Sequence, residues 1–338
     1  MIEYLPWSIQ ELKKSLDLYN NRKLSILDIE IGSSCNLCCI YCDSPQRNIY
    51  SNINVDKIEE ILNKEEIRWI FICGLGEPLE QRNKEHIIEI LKLCKKYSVK
   101  CSIFSNSLGL DDTILKYLKE KILYMLVKLD SLNKSKIEKI YKTDQSDRIL
   151  LNLKIIEKYV SVKNNLTNIA ASIVPTKLNK YEVPDLVKFC LQRNIFPLIG
   201  ELEYSGSAKK IFNDIFLSNE ELLEIEKKIE SFISQKYNIP ICPAVISGIH
   251  IDCNNNIIVD KLTGLSCSWF WLKTPKVKKI TNLMVNDSLF EKILDYRNSK
   301  LENVKSMVNK IKIKPFGGCG GNIKYLLEKY IKIQEKFI

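Results

Sequence analysis

The sequence of 338 residues is short of histidine and has no long apolar run. No stretch is apolar over the roughly 20 residues that a membrane-spanning helix needs, so no transmembrane segment is predicted. The N-terminus, MIEYLPWSIQELKKS, has an early acid and no continuous apolar core, which argues against a secretory signal. These absences predict a cytoplasmic protein with no membrane partner.

Histidine occurs only as His86 and His250, whereas the chain has 12 cysteines. A reducing compartment disfavours structural disulfides, so clustered thiols there usually bind metal or take part in redox chemistry. With so little imidazole, any metal must be held largely by thiolate. Thiolate ligands favour zinc or iron–sulfur over magnesium or calcium.

Short apolar runs alternate with amphipathic segments through the first two-thirds of the chain. The strand patterns are 25–31, 69–73, 99–104, 124–129, 168–174 and 196–199. Helical patterns between them include 83–97, 147–160 and 181–194. This alternation indicates an α/β fold of parallel βαβ units, either doubly wound or barrel-like. Six strands would make a partial (β/α)6 TIM-like barrel rather than a closed one of about eight strands.

The alternation ends after a helical pattern at about 219–236. Residues 240–320 contain short strand patterns, turn residues and dispersed cysteines. We therefore place a domain boundary near residue 236.

The segment CNLCCIYC, residues 35–42, follows the first predicted strand. Cys35, Cys39 and Cys42 have the spacing C-x3-C-x2-C, with the aromatic Tyr41 before the last. This motif resembles that of the radical S-adenosylmethionine (radical SAM) enzymes, where three thiolates hold three irons of a 4Fe–4S cluster. The resemblance implies that the fourth iron is open to the amino and carboxylate groups of SAM. The alternative is a zinc knuckle, although no partner pair of cysteines lies nearby.

Further positions at the ends of strands two, three and four match SAM-contacting positions of the family. The resemblance implies that the loop after strand two binds the SAM ammonium, although Leu75 stands where the family has an adjacent glycine. The implied cofactor-binding residues are Tyr41, Gly74, Gly76, Glu77, Pro78, Ser105, Asn106, Lys128 and Asp130. The alternatives are a plain turn for Gly-Glu-Pro and a helix N-cap for the aspartate.

Catalytic residues are harder to assign from the sequence. Glu201, Glu203 and Tyr204 follow strand six and are expected to face the substrate. Cys38 lies outside the cluster spacing and is a bystander, a hydrogen-atom donor or an alternative ligand. Cys190 is also a candidate donor, although it fits a buried helix position, as Cys73, Cys94 and Cys101 fit the core.

Four cysteines remain in the C-terminal part, and their order resembles the auxiliary-cluster extension of radical SAM enzymes. They are Cys242, Cys253, Cys267 and Cys319. The chain lacks the C-x2-C-x5-C run of the full SPASM extension and so resembles the shorter twitch form, with one auxiliary 4Fe–4S cluster. A structural zinc is the alternative. The resemblance covers about 25–325, which gives an N-terminal extension (1–24), a partial barrel (25–236), an auxiliary-cluster domain (237–325) and the end of a C-terminal helix (326–338).

The family's shared chemistry implies an oxidoreductase. A reduced cluster cleaves SAM to a 5′-deoxyadenosyl radical that abstracts a hydrogen atom from the substrate, and an auxiliary cluster accepts an electron. The resemblance favours a ribosomally made peptide as substrate, modified by thioether formation, carbon–carbon crosslinking or epimerisation, and a flavodoxin- or ferredoxin-type reductant. The alternative substrate is a sugar or aminocyclitol, and the alternative class is a non-enzymatic iron–sulfur or zinc protein.

Nucleic acid is not the expected partner, although the net charge is +10. From Lys300 onward there are nine lysines and three glutamates. No RNA-binding module accompanies this basic tail, and a solvated helix face explains it.

Overall fold

One nine-stranded sheet dominates the structure. The computed structural model describes residues 2–42, 44, 51–200, 202, 207–233, 242–260, 265–266, 277–280 (backbone alone), 289–308, 327–328 and 330–336. The strands are β1 (Glu3–Tyr4), β2 (Ile26–Ile29), β3 (Trp69–Ile72), β4 (Lys100–Ser105), β5 (Leu123–Lys128), β6 (Val162–Lys163), β7 (Leu166–Thr167), β8 (Ile169–Ile173), β9 (Phe196–Ile199), β10 (Gly248–Ile251), β11 (Ile257–Asp260) and β12 (Val277–Ile280).

The six predicted strands are confirmed as neighbours. Strands β2, β3, β4, β5, β8 and β9 pair in this order and all run parallel. In the described part of the chain β9 forms one edge of the sheet, as a partial TIM-like barrel requires. Strands β2, β3 and β9 are buried at every residue, because both faces of a parallel sheet are covered.

Helices connect these strands and cover the sheet. They are α1 (Ile9–Asn20), α2 (Val55–Lys64), α3 (Gln81–Lys96), α4 (Asp112–Lys119), α5 (Lys134–Tyr141), α6 (Ser146–Glu157), α7 (Val183–Gln192), α8 (Ala208–Ile215), α9 (Asn219–Glu230), α10 (Ala244–Ser247), α11 (Leu289–Asn298) and α12 (Leu301–Val308). The helical patterns are confirmed with shifted ends. Helix α9 begins at a capping box of Ser218 and Glu221, which satisfies two backbone N–H groups. No helix in the described ranges is long and apolar enough to cross a membrane.

The N-terminal residues pack onto the same face of the sheet as the site described below. The Tyr4 hydroxyl lies 2.8 Å from the Ser102 hydroxyl, and both side chains are buried. The ring of Trp7 packs on Phe104 with centroids 5.6 Å apart. No role was predicted for residues 1–24, whereas in the structure Tyr4, Trp7, Leu12, Tyr19 and Leu24 belong to the hydrophobic core.

The C-terminal part extends the sheet beyond β2. Strand β10 pairs parallel to β2, and β10, β11 and β12 are successive antiparallel neighbours. Arg297 of α11 is fully buried and donates to the carbonyls of Ile246 and Gly248, which fixes the start of β10. The boundary expected near residue 236 lies outside the described residues and stays a prediction.

Candidate active site

A cavity of about 270 Å³ opens where the parallel strands end. Its described lining is Cys35, Leu37, Cys39, Tyr41, Cys42, Ser44, Gly74, Leu75, Gly76, Glu77, Phe104, Ser105, Asn106, Leu126, Lys128 and Ser172. Carboxyl ends of parallel strands meet at one edge of a sheet, so loops distant in sequence converge there. The cysteine motif and the loop after β3 therefore lie in one site.

Helix α5 supports the cysteine loop from one side. The backbone N–H of Cys38 donates to the Tyr141 carbonyl at 3.2 Å, and that of Ile40 donates to the Ile140 carbonyl at 2.9 Å. Leu37 and Cys39 are buried against the same helix. Cys38 itself is exposed and is not in the described cavity lining, and its role stays open.

Short hydrogen bonds join the cysteine loop to the loop of Gly74–Pro78. The Ser44 hydroxyl accepts from the Gly76 N–H at 2.9 Å and from the Cys42 thiol at 3.2 Å. The Glu77 N–H donates to the Ser34 carbonyl at 2.8 Å. The two loops are therefore held together by direct hydrogen bonds.

Gly76 is required by this close approach. It has φ +82°, and a Cβ there would lie 2.1 Å from the Gly32 carbonyl oxygen. Only glycine combines positive φ with this spacing at low cost. The second glycine of the pattern Gly-x-Gly-Glu-Pro is thus explained by backbone contact with the segment that leads to Cys35.

Glu77 is buried at 3% exposure and already holds protein donors. Its Oε1 accepts from the Ser105 hydroxyl at 2.6 Å and the Leu79 N–H at 3.0 Å, and its Oε2 accepts from the Asn106 N–H at 2.7 Å. Burial raises the pKa of Glu77 to about 7, although these hydrogen bonds lower it in part. The carboxylate ties the loop to the end of β4, and any contact with the SAM ammonium would be additional.

Lys128 lines the cavity and packs against two aromatic rings, those of Tyr41 and Tyr141. Its Nζ lies 3.1 Å from Asp130 Oδ2, 4.6 Å from the Tyr41 ring centroid and 5.1 Å from that of Tyr141. The Tyr41 hydroxyl donates to Asp130 and accepts from Lys128. Burial lowers the pKa of Lys128, but the Asp130 carboxylate raises it above its usual value. Tyr41 is thereby fixed beside Cys42 by charge-assisted hydrogen bonds.

The three motif thiols fit an iron–sulfur cluster better than a single zinc ion. In the described ranges no three His, Cys, Asp or Glu side chains are placed to hold one metal ion. A cluster binds each thiolate through a different iron, so its ligands need not converge on one point. Burial raises the pKa of the Cys35 thiol far above its usual value and that of Cys39 to about 12, so binding must displace protons.

Six of the predicted residues that the structure describes are not part of this lining: Cys38, Pro78, Asp130, Cys190, Cys242 and Cys253. Pro78 is buried at the end of the Gly74–Pro78 loop, and Cys190 is fully buried in the core on α7. Cys242 and Cys253 are buried at 6% and 3% exposure in the C-terminal part. Five residues lie outside the described residues and stay predictions: Glu201, Glu203, Tyr204, Cys267 and Cys319.

The sequence missed several lining residues. Phe104 and Leu126 lie two residues from Ser102 and Lys128, on strand positions that share a face with them. Counting back by two from Lys128 would therefore have found Leu126. Ser44 carried no signal, since its role depends on a loop contact with Gly76.

Fold and site together define a class: an α/β protein with a partial parallel barrel and a three-cysteine centre at the strand ends. Residues 29–187, just under half of the chain, match the family model of the Radical SAM superfamily. The superfamily implies SAM and a 4Fe–4S cluster as cofactors.

Curated relatives are similar over part of their length. An uncharacterized protein of Methanocaldococcus jannaschii is 30% identical over 161 residues, which are 47% of this chain and 51% of that protein. A GTP 3′,8-cyclase of Clostridium perfringens is 26% identical over 223 residues, which are 63% of this chain and 65% of that enzyme. The match thus spans about half to two-thirds of these relatives.

Solved structures share the fold at low identity. Streptococcus suis SuiB bound to S-adenosylmethionine aligns with a TM-score of 0.59 at 18% identity, covering 91% of this chain and 79% of SuiB. The enzyme anSMEcpe with bound AdoMet and a peptide aligns with a TM-score of 0.57 at 12% identity, covering 93% of this chain and 100% of that one. These alignments support the α/β fold.

Proposed function

We propose that the protein is a radical SAM oxidoreductase whose cluster is held by Cys35, Cys39 and Cys42. The supporting observation is that these thiols line one cavity with Gly74–Glu77 and Lys128. When bound, the reduced cluster and SAM supply a 5′-deoxyadenosyl radical that abstracts a hydrogen atom from the substrate. A flavodoxin- or ferredoxin-type protein is the proposed electron donor.

The chain's own contribution is binding, orientation and exclusion of water. The linked cysteine and Gly76 loops orient the cofactor, and the ammonium of Lys128 gives this wall a fixed positive charge beside the tyrosine hydroxyl. Leu37, Phe104 and Leu126 line the cavity with apolar surface. An apolar lining limits side reactions of a reactive intermediate with solvent.

An auxiliary 4Fe–4S cluster is proposed at Cys242, Cys253, Cys267 and Cys319. The burial of the two described thiols, Cys242 and Cys253, supports it because a cluster closed by protein ligands lies away from solvent. Such a cluster would accept an electron from the substrate radical, which makes the overall reaction an oxidation.

A ribosomally made peptide is the proposed substrate. The fold is shared with SuiB, of which one structure holds the precursor peptide SuiA, and with anSMEcpe, which binds peptides. The second candidate is GTP, because several curated relatives carry the name GTP 3′,8-cyclase. A sugar or aminocyclitol stays the third.

Iron and sulfide content under anaerobic conditions tests the cluster assignment. With two 4Fe–4S clusters, we expect about eight irons per chain, falling to about four when Cys35, Cys39 and Cys42 are changed to alanine. The matched control changes three fully buried cysteines, Cys94, Cys101 and Cys190, to alanine and should keep the iron. If the wild type holds about four irons and the triple variant holds none, the auxiliary cluster is contradicted, whereas the assignment of the first cluster to Cys35, Cys39 and Cys42 still stands.

Substrate class is tested with reconstituted protein, SAM and dithionite. Precursor peptide encoded beside the gene, GTP and sugar nucleotides are supplied separately, and 5′-deoxyadenosine and substrate mass are followed. A peptide that loses hydrogen and stimulates 5′-deoxyadenosine formation supports the proposal. Stimulation by GTP alone would replace the peptide by the second candidate.

A further inference from the structure

Three ionisable side chains lie together beside the site but outside its cavity lining. Asp28 and Glu30 are two residues apart along β2 and its end, so they share a face, and His250 of β10 is the register partner of Asp28. All three are at most 1% exposed. His250 Nδ1 lies 3.2 Å from Asp28 Oδ2, and its Nε2 lies 3.8 Å from Glu30 Oε2.

His250 carries the positive charge of this group. Burial lowers the pKa of His250, but Asp28 and Glu30 raise it to about 9, so the ring is an imidazolium at neutral pH. The second oxygen of Asp28 accepts from the Cys73 thiol at 2.8 Å. Among the described residues neither oxygen of Glu30 has a hydrogen bond, so the ion pair with His250 is its compensation.

Glu30 of this group packs against Gly74, the first residue of the loop after β3. A Cβ at Gly74 would lie 3.3 Å from Cγ of Glu30. Cys73, whose thiol donates to Asp28, is the residue immediately before Gly74. The sequence predicted a buried core position for Cys73, but the residue is only partly buried. Because protein interiors are close-packed, a displaced Glu30 would displace this loop.

His250, which carries the positive charge, lies on β10 in the C-terminal part of the chain. Strand β10 leads into the turn of Cys253, whose carbonyl accepts from the Asn52 N–H at 2.9 Å. Asn255 in the same turn accepts from the Asn54 N–H at 2.7 Å. The β10–β11 hairpin is therefore attached to the barrel at both its strand and its turn.

We propose that His250 is a positioning residue for SAM: its charge holds Asp28 and Glu30 together and keeps the Gly74–Glu77 loop in place. Without that charge the two buried carboxylates would repel each other and lose the cation between them. SAM affinity then depends on the docking of the hairpin that carries Cys253. The inference rests on the proposed function only in taking SAM as the ligand.

SAM binding to the full chain with reconstituted iron tests this. We expect His250→Gln to weaken SAM binding about tenfold at unchanged iron content. Adding Glu30→Gln removes one of the two negative charges and therefore the repulsion. The double variant should bind SAM more tightly than His250→Gln and within about twofold of Glu30→Gln alone. The matched control is His86→Gln, the other histidine, which is partly exposed beside Glu89 and should bind SAM as the wild type does.

Wild-type affinity in the His250→Gln protein would overturn the proposal. Equally weak SAM binding by His250→Gln and by the double variant would also overturn it, because the shape of the His250 side chain rather than its charge would then matter. If the single variant does not fold, the double variant must fold and bind like Glu30→Gln, and failure of either overturns the proposal. The measurement needs no turnover, so a wild type that binds SAM but forms no 5′-deoxyadenosine would count against the proposed function alone.

Discussion

Replacing Gly76 by alanine should disrupt the site through the backbone alone. The residue has φ +82°, a region that costs an L-residue about 1–2 kcal/mol. The added Cβ would lie 2.1 Å from the Gly32 carbonyl oxygen and 3.0 Å from that of Ser34, and backbone atoms cannot move aside by a rotamer change. Overpacking of this kind costs about 1–3 kcal/mol more. We therefore expect a total loss of about 2–5 kcal/mol together with weaker SAM binding.

Thermal unfolding of the apoprotein and SAM binding to the reconstituted protein measure these two effects. Gly200→Ala is the matched control, because its Cβ would meet nothing closer than 3.7 Å and no positive φ is involved. A compatible Gly→Ala change is neutral or stabilises by up to about 1 kcal/mol. Equal unfolding temperatures and equal SAM affinities for the two variants would refute the reasoning.

Three further predictions concern buried charges. Glu11 is 2% exposed, and although burial raises its pKa, hydrogen bonds from Trp69, Lys14 and Arg68 lower it overall. Glu11→Ala should therefore lower the free energy of unfolding by about 2–4 kcal/mol in denaturant. The control Glu59→Ala removes an exposed ion pair with Lys96 and should leave the unfolding midpoint nearly unchanged. The pKa of His250 is raised to about 9, so the contribution of its charge to folding stability is complete below about pH 6.5 and is lost as the pH rises through about 9. The difference in unfolding temperature between the wild type and His250→Gln should therefore shrink over that range. Asp130→Asn leaves the Lys128 ammonium without its carboxylate and should lower the free energy of unfolding by about 3 kcal/mol, and an unchanged value would contradict the ion pair.

Local patterns were enough to predict the barrel strands and the cysteine centre. Runs such as WIFI at 69–72 are apolar throughout because both faces of a parallel sheet are buried, and that leaves a signal within four residues. The spacing of Cys35, Cys39 and Cys42 is likewise a short-range property. Since loops after parallel strands converge, the meeting of these thiols with Gly76 and Lys128 followed from strand order alone.

Other features depend on residues far apart in sequence, and only the tertiary structure decided them. Asp28 and His250 are ordinary polar residues in the sequence, and their ion pair exists because β10 joins the sheet beside β2. The sequence predicts that Glu77 contacts the SAM ammonium, and this stays a prediction; the hydrogen bonds that its carboxylate accepts from Ser105 and Asn106 were visible only in the structure. The sequence by itself determined which residues form strands and where thiolates cluster, because periodicity and spacing are local. Which charges become buried together was decided by strand pairing across more than 200 residues, for which local chemistry leaves no signal.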